Sequence, residues 1–518
     1  MNLIRRYLWF YVVPVFLLLT LFGILITGAR ALSLTTDEPL HVAIGYAILA
    51  RGKAAFWLLP THGHPPLLNV LEATLLYLEK PDIPLEQFPG WIENDYTKYT
   101  QAFILQLVPT ERIELISRFP IILTTLILAG LVYRWGKELW GNRAGLIALF
   151  ALCFDPNLLA HGRLATTDVG TAALGTFALY FTWRWMLSPS WKKSLAIGVW
   201  TGLTVLAKMN GLIWLAAIGL LMVFRAFKEP TRHCVALLAQ GMSATALSLL
   251  MLWAGHGFSW GPVQGLPGKY PVPEFWNGLI LQAEFGKHLL TFAWGTIEMG
   301  PRWWYFPLAF FIKNPVPLLC ALGIAVAIFL HRPISFSRNR FVNVMVFPVL
   351  YILVAVTGSI NIGYRHLLPI HPIIYLIIGG GLNWLWGKES NNVWKLGLMA
   401  LSMWYVGTTL RIFPYEIAYF NEVAGGPYNG HHYLVDSNLD WGQSIKALRR
   451  WLNDHREWQK EPLYVIGSNP ALYTLYGIPS HSYRWVGSSL LYARFAPPIW
   501  NSCYRSLRSS GDRCRRAG

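Results

Sequence analysis

Two adjacent carboxylates, Asp37 and Glu38, follow the first apolar segment of the chain. Because the chain is 54% hydrophobic and only 13% charged, paired acids at the exit of a membrane helix are costly to place. Ionisable groups at such a depth usually line a water-filled cavity or a catalytic site, where a carboxylate can accept a proton. The alternative is a plain helix start, in which both acids favour the positive end of the helix dipole and Thr36 caps the helix.

The composition indicates a polytopic α-helical membrane protein. The mean hydropathy is +0.38, and apolar stretches about as long as a bilayer is thick recur along the chain. The net charge of +17 would suit nucleic acid, but much of the Lys and Arg lies in short loops between the apolar stretches, which is the positive-inside pattern. This distribution argues against a nucleic-acid partner and is compatible with a lipid phosphate.

Length and hydropathy predict about eleven membrane spans. They lie near residues 8–28, 113–133, 144–160, 166–186, 194–207, 211–224, 234–254, 306–330, 341–358, 367–387 and 393–410. We interpret the first as a retained helix rather than a signal peptide, which predicts a multi-pass protein of the plasma or inner membrane with a cytoplasmic N-terminus. The basic loops then fall inside and the longer polar segments outside, so we expect chemistry on the outer face.

Two long outer segments stand out. In the loop 30–111, the stretches Leu40–Leu49 and Leu67–Leu78 have amphipathic helical character, and we interpret them as helices in the membrane interface. The loop 255–305 is rich in Gly, Pro, Trp and Tyr, lacks a spanning run, and is predicted to be irregular. The short fifth and sixth spans are predicted to meet in a tight hairpin at Lys208–Gly211.

The chain divides into a transmembrane domain, residues 1–410, and a small extracytoplasmic domain, residues 411–518. In the second domain, Asp440–Asn453 predicts a helix that Asp440 caps, and Leu463–Ile466 predicts a short strand. We therefore expect an α/β domain, followed by a basic and mobile tail.

Short motifs along most of the chain occur in an order that is typical of one family. They are Thr36–Pro39 with His64–Leu67, Ser117–Pro120, Ala160–Asp168, Ala207–Gly211, Tyr305–Pro307 with Ile312–Pro315, Gly363–Pro369 and Tyr419–Pro427. Through them the chain resembles the membrane glycosyltransferases of the GT-C superfamily. Within that superfamily it is most similar to the protein O-mannosyltransferases and the aminoarabinose transferases of lipid A.

The resemblance implies a GT-C bundle that transfers a monosaccharide, hexosyl or pentosyl, from a polyprenyl-phosphate donor on the outer face. The lipid phosphate is a good leaving group, and an acceptor hydroxyl attacks the anomeric carbon from the opposite side in an inverting single displacement. The resemblance assigns the general base to Asp37. Its neighbour Glu38 would tune or orient that base, or bind the acceptor.

Four cations near the predicted outer surface are candidates to bind the donor phosphate. They are Arg163, Lys208, Lys313 and Arg365. Arginine offers a planar fork to phosphate oxygens and lysine a point charge, and both stabilise the charge that develops on the leaving group. The alternative for each is a side chain that snorkels to the lipid headgroups.

Three further residues are candidates for substrate binding. His64 resembles the family's loop histidine and would bind the acceptor or the phosphate, or else satisfy a loop carbonyl. Asp168 would pair with Arg163 or contribute to the donor site, or else cap its span. Tyr364 belongs to the Gly363–Pro369 motif and is assigned to substrate by the same resemblance.

No cofactor is assigned with certainty, and a divalent metal ion is an open alternative. Some GT-C enzymes bind one through an Asp-x-Asp motif, whereas this chain has Asp37-Glu38. His62, His64 and a carboxylate offer a second set of ligands, but their spacing is not diagnostic.

Two other functional classes compete with the glycosyltransferase. Intramembrane charges and broken helices would suit a transporter or flippase of lipid-linked sugars, although the chain has no inverted repeat and its charges gather at the outer edge. A non-catalytic envelope assembly protein would use the outer domain alone. Within the glycosyltransferase class, the sugar and the acceptor, whether glycolipid, glycan or protein, stay open.

Overall fold

The computed structural model describes residues 2–62, 64–106, 110–331, 338–388, 392–457, 464–465, 470–478 and 481–482. The structure is mainly helical. Its helices are α1 (Asn2–Ala31), α2 (Glu38–Arg51), α3 (Leu58–His62), α4 (Pro66–Glu79), α5 (Tyr96–Leu105), α6 (Thr110–Trp140), α7 (Asn142–Cys153), α8 (Pro156–His161), α9 (Thr167–Leu187), α10 (Trp191–Ala207), α11 (Gly211–Ala226), α12 (Thr231–Gly255), α13 (Pro273–His288), α14 (Tyr305–Lys313), α15 (Val316–His331), α16 (Arg338–Thr357), α17 (His371–Lys388), α18 (Asn392–Ile412), α19 (Ile445–Asp454) and α20 (Pro470–Leu475).

Helices occur at each of the predicted spans. In the described part of the chain, four stretches are long and apolar enough to cross a membrane by themselves: Phe10–Ala31, Glu111–Trp140, Thr231–Gly255 and Tyr364–Gly387. The pair α14 and α15 makes a fifth if it is counted as one span, although it is bent by 109°. An integral membrane protein is therefore supported, while eleven separate spans remain a prediction.

Two of the predicted spans are broken, and proline explains both breaks. Pro315 follows Asn314, whose extended backbone (ψ 141°) ends α14, because the residue before a proline avoids the helical conformation. Pro156 opens α8, where its missing N–H does no harm. The Asp155 carboxylate caps that helix by accepting from the N–H groups of Asn157 at 2.7 Å and Leu158 at 3.3 Å. These breaks put polar groups inside an otherwise apolar bundle.

The largest apolar core is formed by the spanning helices, including α1, α6, α7, α9 and α17. A second core lies elsewhere. It joins α2, α4 and α5 of the first outer loop to apolar side chains of α19 and α20, among them Ile445 and Leu472. The C-terminal segment is thus packed on the first outer loop rather than set apart from it.

Hydrogen bonds also join the C-terminal segment to the stretch that leads into the first outer loop. The Ser33 hydroxyl donates to the carbonyl of Gly442 at 2.7 Å and accepts from the N–H of Ile445 at 2.9 Å. The N–H of Leu34 donates to the Tyr476 hydroxyl at 2.7 Å. These bonds fix the strand-like stretch that leads into Asp37.

The helices predicted at Leu40–Leu49 and Leu67–Leu78 are confirmed as α2 and α4. The two helices pack against each other, and α2 is buried over most of Glu38–Ala47. The tight hairpin at Lys208–Gly211 is also confirmed, since α10 ends at Ala207 and α11 begins at Gly211. The interfacial position of α2 and α4 stays a prediction.

The prediction that residues 255–305 are irregular is wrong. The segment contains α13 and two short antiparallel ladders, β1 (Trp260–Gly261) with β2 (Tyr270–Pro271), and β3 (Leu290–Ala293) with β4 (Thr296–Met299). Several of the glycines that suggested an irregular loop instead occupy turns between these elements, among them Gly265, Gly268 and Gly295.

The predicted start of the last helix is also wrong. The structure begins α19 at Ile445 rather than at Asp440, because Asp440 and Gln443 serve a turn before it: Asp440 accepts from Gly442 N at 2.9 Å, and Gln443 accepts from Trp441 N at 2.6 Å. The predicted strand is present at β5 (Tyr464–Val465), paired in parallel with β6 (His481–Ser482). The basic tail lies outside the described residues.

Candidate active site

Four of the predicted site residues form one cluster, which we call the Asp37 cluster: Asp37, Asp168, Lys208 and Arg365. Asp37 Oδ2 lies 3.0 Å from Arg365 Nη1, and the same nitrogen lies 3.8 Å from Asp168 Oδ2. Asp168 Oδ1 in turn accepts from Lys208 Nζ at 2.6 Å. The Asp37 side chain is 25% exposed, whereas that of Asp168 is 2% exposed. Asp37 is therefore the accessible end of an alternating row of charges.

Each member of the Asp37 cluster comes from a different element. Asp37 immediately precedes α2, Asp168 lies in the first turn of α9, and Lys208 follows the last residue of α10. Acids at helix starts and cations at helix ends are both favoured by the helix dipole. Arg365 belongs to a 3-10 helix, Tyr364–Ile370, that leads into α17.

The C-terminal segment completes the site. The Arg365 guanidinium lies 3.9 Å above the ring of Trp441, a cation–π contact that holds the guanidinium plane. Asp436, in a left-handed conformation (φ 61°), lies within electrostatic range of Arg365 and Asp37. Burial raises the pKa of Asp436, and Arg365 opposes that shift. The wall of the site opposite α2 is thus built from residues after 430.

Asp37 is the N-cap residue of α2 and Glu38 lies in its first turn, so both acids lie at the positive end of the helix dipole, as the helix-start alternative predicts. The predicted cap is wrong, because neither Thr36 nor Asp37 caps α2 through its side chain. The Asp37 side chain makes no cap hydrogen bond, and the Thr36 hydroxyl donates to the carbonyl of Trp441 at 3.1 Å. Glu38 accepts instead from the N–H groups of Thr35 at 2.7 Å and Ala165 at 2.8 Å.

Glu38 is turned away from Asp37 into a buried ion pair with Arg118. Glu38 Oε1 and Oε2 accept from Arg118 Nε and Nη2, both at 2.7 Å. Arg118 also donates to the carbonyls of Ala29, Leu32 and Ser33 at 2.6 to 3.1 Å. Burial by itself would raise the pKa of Glu38, but Arg118 and the N–H donors hold it below its usual value. Glu38 therefore fixes the approach to Asp37.

The structure does not bring Arg163, Lys313 or Tyr364 into the Asp37 cluster. Arg163 is buried, pairs with Glu416, and donates to the carbonyl of Pro414 at 2.5 Å. Lys313 donates to the carbonyls of residues 417 and 438, both at 2.7 Å. The Tyr364 hydroxyl bonds inward to Asn314 Nδ2 at 2.6 Å and to a histidine of α17 at 2.7 Å. These three side chains tie the segment after α18, or the break after α14, to the bundle.

Two histidines flank the site on the α2 side. His64 Nδ1 lies 3.5 Å from the Thr167 hydroxyl, next to Asp168, and its ring packs edge-on against His41 at 5.1 Å. His41 lies within electrostatic range of Asp37, and its Nδ1 is 2.8 Å from Asn69 Oδ1. Burial lowers the pKa of His41, although Asp37 opposes that shift. The structure thus places His64 next to Thr167 and in ring contact with His41, and His41 in turn interacts with Asp37.

Sequence reasoning missed three buried groups around the cluster. His161 and His366 lie within electrostatic range of Asp168, Lys208 and Arg365. Among the described residues, His161 Nδ1 and His366 Nε2 have no hydrogen-bond partner. Both histidines lie within the sequence motifs, His161 two positions before Arg163 and His366 next to Arg365, and that proximity was the available signal.

Glu72 of α4 is the third missed group. Its side chain is fully buried, and neither carboxylate oxygen has a hydrogen-bond partner in the described part of the structure. Burial, then the charges of Glu38 and Asp168, raise its pKa well above the usual value. Burial therefore favours the protonated form of Glu72. Its sequence signal is weak, because a glutamate in an amphipathic helix is usually assigned to the wet face.

Asp37 and Asp168 are each paired with a cation of the protein. The described residues contain no group of three metal-ligating side chains, and the His62 side chain lies outside them. The arrangement offers an accessible carboxylate, able to take a proton, beside two cations, able to hold a phosphate.

Comparison with known proteins supports the resemblance over part of the chain. Residues 96–254 match the family described as dolichyl-phosphate-mannose-protein mannosyltransferase. No curated protein matches the sequence. Among solved structures, ArnT from Cupriavidus metallidurans bound to undecaprenyl phosphate is 12% identical, with 90% of this chain and 85% of that chain covered and a TM-score of 0.49. The archaeal oligosaccharyltransferase AglB from Archaeoglobus fulgidus is 12% identical, with 95% and 62% covered and a TM-score of 0.41.

Proposed function

We propose that the protein is an inverting glycosyltransferase that moves a monosaccharide from a polyprenyl-phosphate donor to an acceptor hydroxyl on the outer face of the membrane. The observation that carries the proposal is the contact of Asp37 with Arg365, 3.0 Å between carboxylate and guanidinium. It puts a candidate base beside a candidate phosphate ligand. The family matched by residues 96–254 uses, by its description, a lipid-phosphate sugar as donor.

The reaction assigns one event to each side of the cluster. The acceptor oxygen forms a bond to the anomeric carbon as the bond from that carbon to the phosphate oxygen breaks, and the electron pair leaves with the polyprenyl phosphate. Asp37 takes the acceptor proton. Lys208 and Arg365 stabilise the extra negative charge on the phosphate, in exchange for part of their contact with Asp168.

Glu38 and Arg118 act on Asp37 indirectly in this proposal. Their buried pair anchors residues 29 to 38 through three carbonyl groups and two N–H groups. A base that is held in place before the substrate arrives costs no reorganisation during the reaction. Arg118 and Glu38 are therefore positioning residues.

The proposed orientation follows from the same geometry. Trp441 stacks on Arg365, so the C-terminal segment lies on the same side of the bundle as the cluster. With a cytoplasmic N-terminus, α1 leads directly to Asp37 on the opposite side. Cluster and C-terminal segment then both face outward, where a lipid-linked sugar is presented.

The test is transfer by the purified full chain in nanodiscs, with a panel of polyprenyl-phosphate sugars and membrane extract as acceptor. Asp37→Asn keeps the shape of the side chain and should lower the transfer rate about 100-fold or more, which is the usual contribution of a general base. Asp82→Asn is the matched control, because Asp82 is an exposed acid of the same outer loop.

Equal product from Asp37→Asn and wild type would remove Asp37 from the mechanism. A wild type that moves labelled lipid-linked sugar across proteoliposomes without forming product would instead establish the transporter class. Both variants must melt at the wild-type temperature for the comparison to count.

A further inference from the structure

One cavity of the structure lies apart from the Asp37 cluster. It is a cleft of about 500 Å³ between the turn of the β3–β4 hairpin and the segment that runs from Glu422 to Tyr433. We call it the Trp294 cleft. Its side chains include an aromatic pair, Trp294 and Tyr433, and three polar groups, Glu422, Asn429 and His432. No member of the Asp37 cluster lines it.

Trp294 stands in a turn that disfavours it. Trp294 and Gly295 form the two-residue loop between β3 and β4, with φ of 50° and 75°. Such a loop needs positive φ at both positions and is usually Asn-Gly, Asp-Gly or Gly-Gly. A bulky residue there is strained, and burial does not compensate, because the Trp294 side chain is 60% exposed. An outlier of this kind points to a function.

The turn is held rigidly against the opposite wall. The N–H of Trp294 donates to the carbonyl of Tyr433 at 2.9 Å, and Ala293 forms a β-bridge with Leu434. The ring of Tyr433 meets the indole edge-to-face at 5.5 Å. The indole is thus fixed in position while most of its surface stays exposed.

The segment from Glu422 to Tyr433, which forms the wall opposite the turn, is itself held by hydrogen bonds. The side-chain amide of Asn421 donates to the carbonyls of Phe311 and Asn314 at 2.6 and 2.9 Å. At the rim, Asn429 Nδ2 donates to the carbonyl of Gly425 at 2.9 Å, and Glu422 Oε1 accepts from Trp404 Nε1 at 3.0 Å. A site whose groups are already oriented loses little entropy when it binds a ligand.

We infer that the Trp294 cleft binds a sugar ring of the acceptor, so that the acceptor is a glycan or a glycolipid. A sugar ring has an apolar face of C–H groups, which suits an exposed indole, and a rim of hydroxyls, which suits a carboxylate, an amide and an imidazole. The sugar-binding part stands without the proposed function, whereas the identification of that sugar as the acceptor rests on it.

The position of the cleft fits an extended acceptor. Asp436 follows Tyr433 by only three positions, about 10 Å of fully extended chain. Asp436 lies within electrostatic range of Arg365 and Asp37. A glycan bound at Trp294 therefore starts close to the reacting end of the site, and its next sugars can extend toward Asp37.

Direct binding tests the site with the full chain in nanodiscs and an array of printed oligosaccharides that end in hexose, N-acetylhexosamine or uronic acid. The decisive variant is Trp294→Asn, since asparagine is favoured in this turn. It should melt at the wild-type temperature or above and bind the array at least tenfold more weakly. Trp303 is a tryptophan outside the cleft that is also largely exposed (72%), and Trp303→Ala should bind as wild type does.

The outcomes separate this inference from the proposed function. Absence of saturable binding to the whole array, or equal binding by Trp294→Asn, overturns the sugar site whether or not transfer occurs. Equal losses in Trp294→Asn and Trp303→Ala would show a general role of exposed tryptophans at the membrane, which also overturns it. Binding that depends on Trp294 without transfer from any donor would uphold the site and overturn the proposed function.

The acceptor assignment has its own readout. In the transfer assay, Trp294→Asn should raise the KM for the acceptor at least tenfold and leave donor binding unchanged. An unchanged KM would overturn the assignment to the acceptor.

Discussion

Asp37 and Glu38 are neighbours in the chain and chemically alike, yet the regions around them are bonded differently. The Glu38–Arg118 pair is fully buried, and its guanidinium reaches one carboxylate and three carbonyls. Asp37 is partly exposed, and its partner Arg365 keeps an Nε without a hydrogen-bond partner among the described residues. We call the Glu38–Arg118 pair saturated, because protein groups use its hydrogen-bonding capacity, and the Asp37–Arg365 pair unsaturated, because an N–H of Arg365 is unused. A saturated pair can only hold the local structure in place, whereas an unsaturated pair can exchange a contact within the protein for a contact with substrate.

The strongest way to break this contrast is to remove one half of the saturated pair. Arg118→Gln leaves Glu38 buried without its cation, which should lower the free energy of unfolding by about 3–5 kcal/mol. Thermal unfolding of the detergent-purified protein measures this. The double variant Arg118→Gln with Glu38→Gln should be less destabilised, because no unpaired charge remains. A double variant that melts no higher than the single one would contradict the buried-charge explanation.

The unsaturated region should respond in activity instead. Arg365→Lys keeps a charge but loses the planar fork, so transfer should fall about 100-fold, as when one donor to a developing anion is lost. The measurement is kcat/KM in nanodiscs beside the melting temperature, which should stay near that of the wild type. Arg163→Lys is the informative partner: it should lower the melting temperature and affect kcat/KM less. The reverse ranking would place Arg163, not Arg365, at the phosphate.

Glu72 tests the effect of burying a carboxylic acid that has no hydrogen-bond partner among the described residues. Its pKa is raised above the ordinary value of 4.5, so the folded protein holds a proton that the unfolded chain releases. Stability should therefore fall as the pH rises above about 4.5 toward the raised pKa, by at most about 1.4 kcal/mol per pH unit. Glu72→Gln should remove that slope and melt higher than wild type at pH 8. Melting curves at pH 5.5 and 8 check this, with the exposed Glu79→Gln on the same helix as control.

The smallest effect is expected at a surface pair. Glu86 accepts from Arg51 at 2.5 and 2.9 Å, and this contact lowers the pKa of Glu86 to about 2. The carboxylate is half exposed, so Glu86→Gln should cost less than about 1 kcal/mol. The small contribution is present above the ordinary pKa and is lost as the pH falls toward 2. A loss as large as that of Arg118→Gln would show that burial does not distinguish the two pairs.

The sequence located the long apolar helices but not α13, and it named the four residues that the structure brings together in the Asp37 cluster. Apolar length located the helices, and the motifs contain Asp37, Asp168, Lys208 and Arg365. The motifs could not separate these from Arg163, because its role is set by Glu416, a partner 253 positions away. Lys313 likewise bonds to carbonyls more than 100 positions away.

Local competition explains the errors in the outer segments. Asp440 has a good N-cap side chain, but its carboxylate is used by the turn at Gly442, so α19 starts later. Trp294 occupies a hairpin position that a propensity argument assigns to asparagine or glycine. Glu72 carries no sequence signal for burial, because only the packing of α4 against α2 and α6 excludes water from it.

The hydrogen bond between Ser33 and Gly442 has a consequence for biosynthesis. The Ser33 hydroxyl is bonded to Gly442, 409 positions further along the chain, and at about 5–20 residues per second the ribosome needs on the order of 20–80 s to make that length. Throughout this time the loop that carries Asp37 has been synthesised but lacks the hydrogen bond from Ser33 to Gly442, and Trp441 does not yet cover Arg365. The Asp37 cluster is therefore among the last parts of the molecule to assemble, and a nascent chain that stalls before residue 440 carries every charge of the cluster without the wall that shapes it.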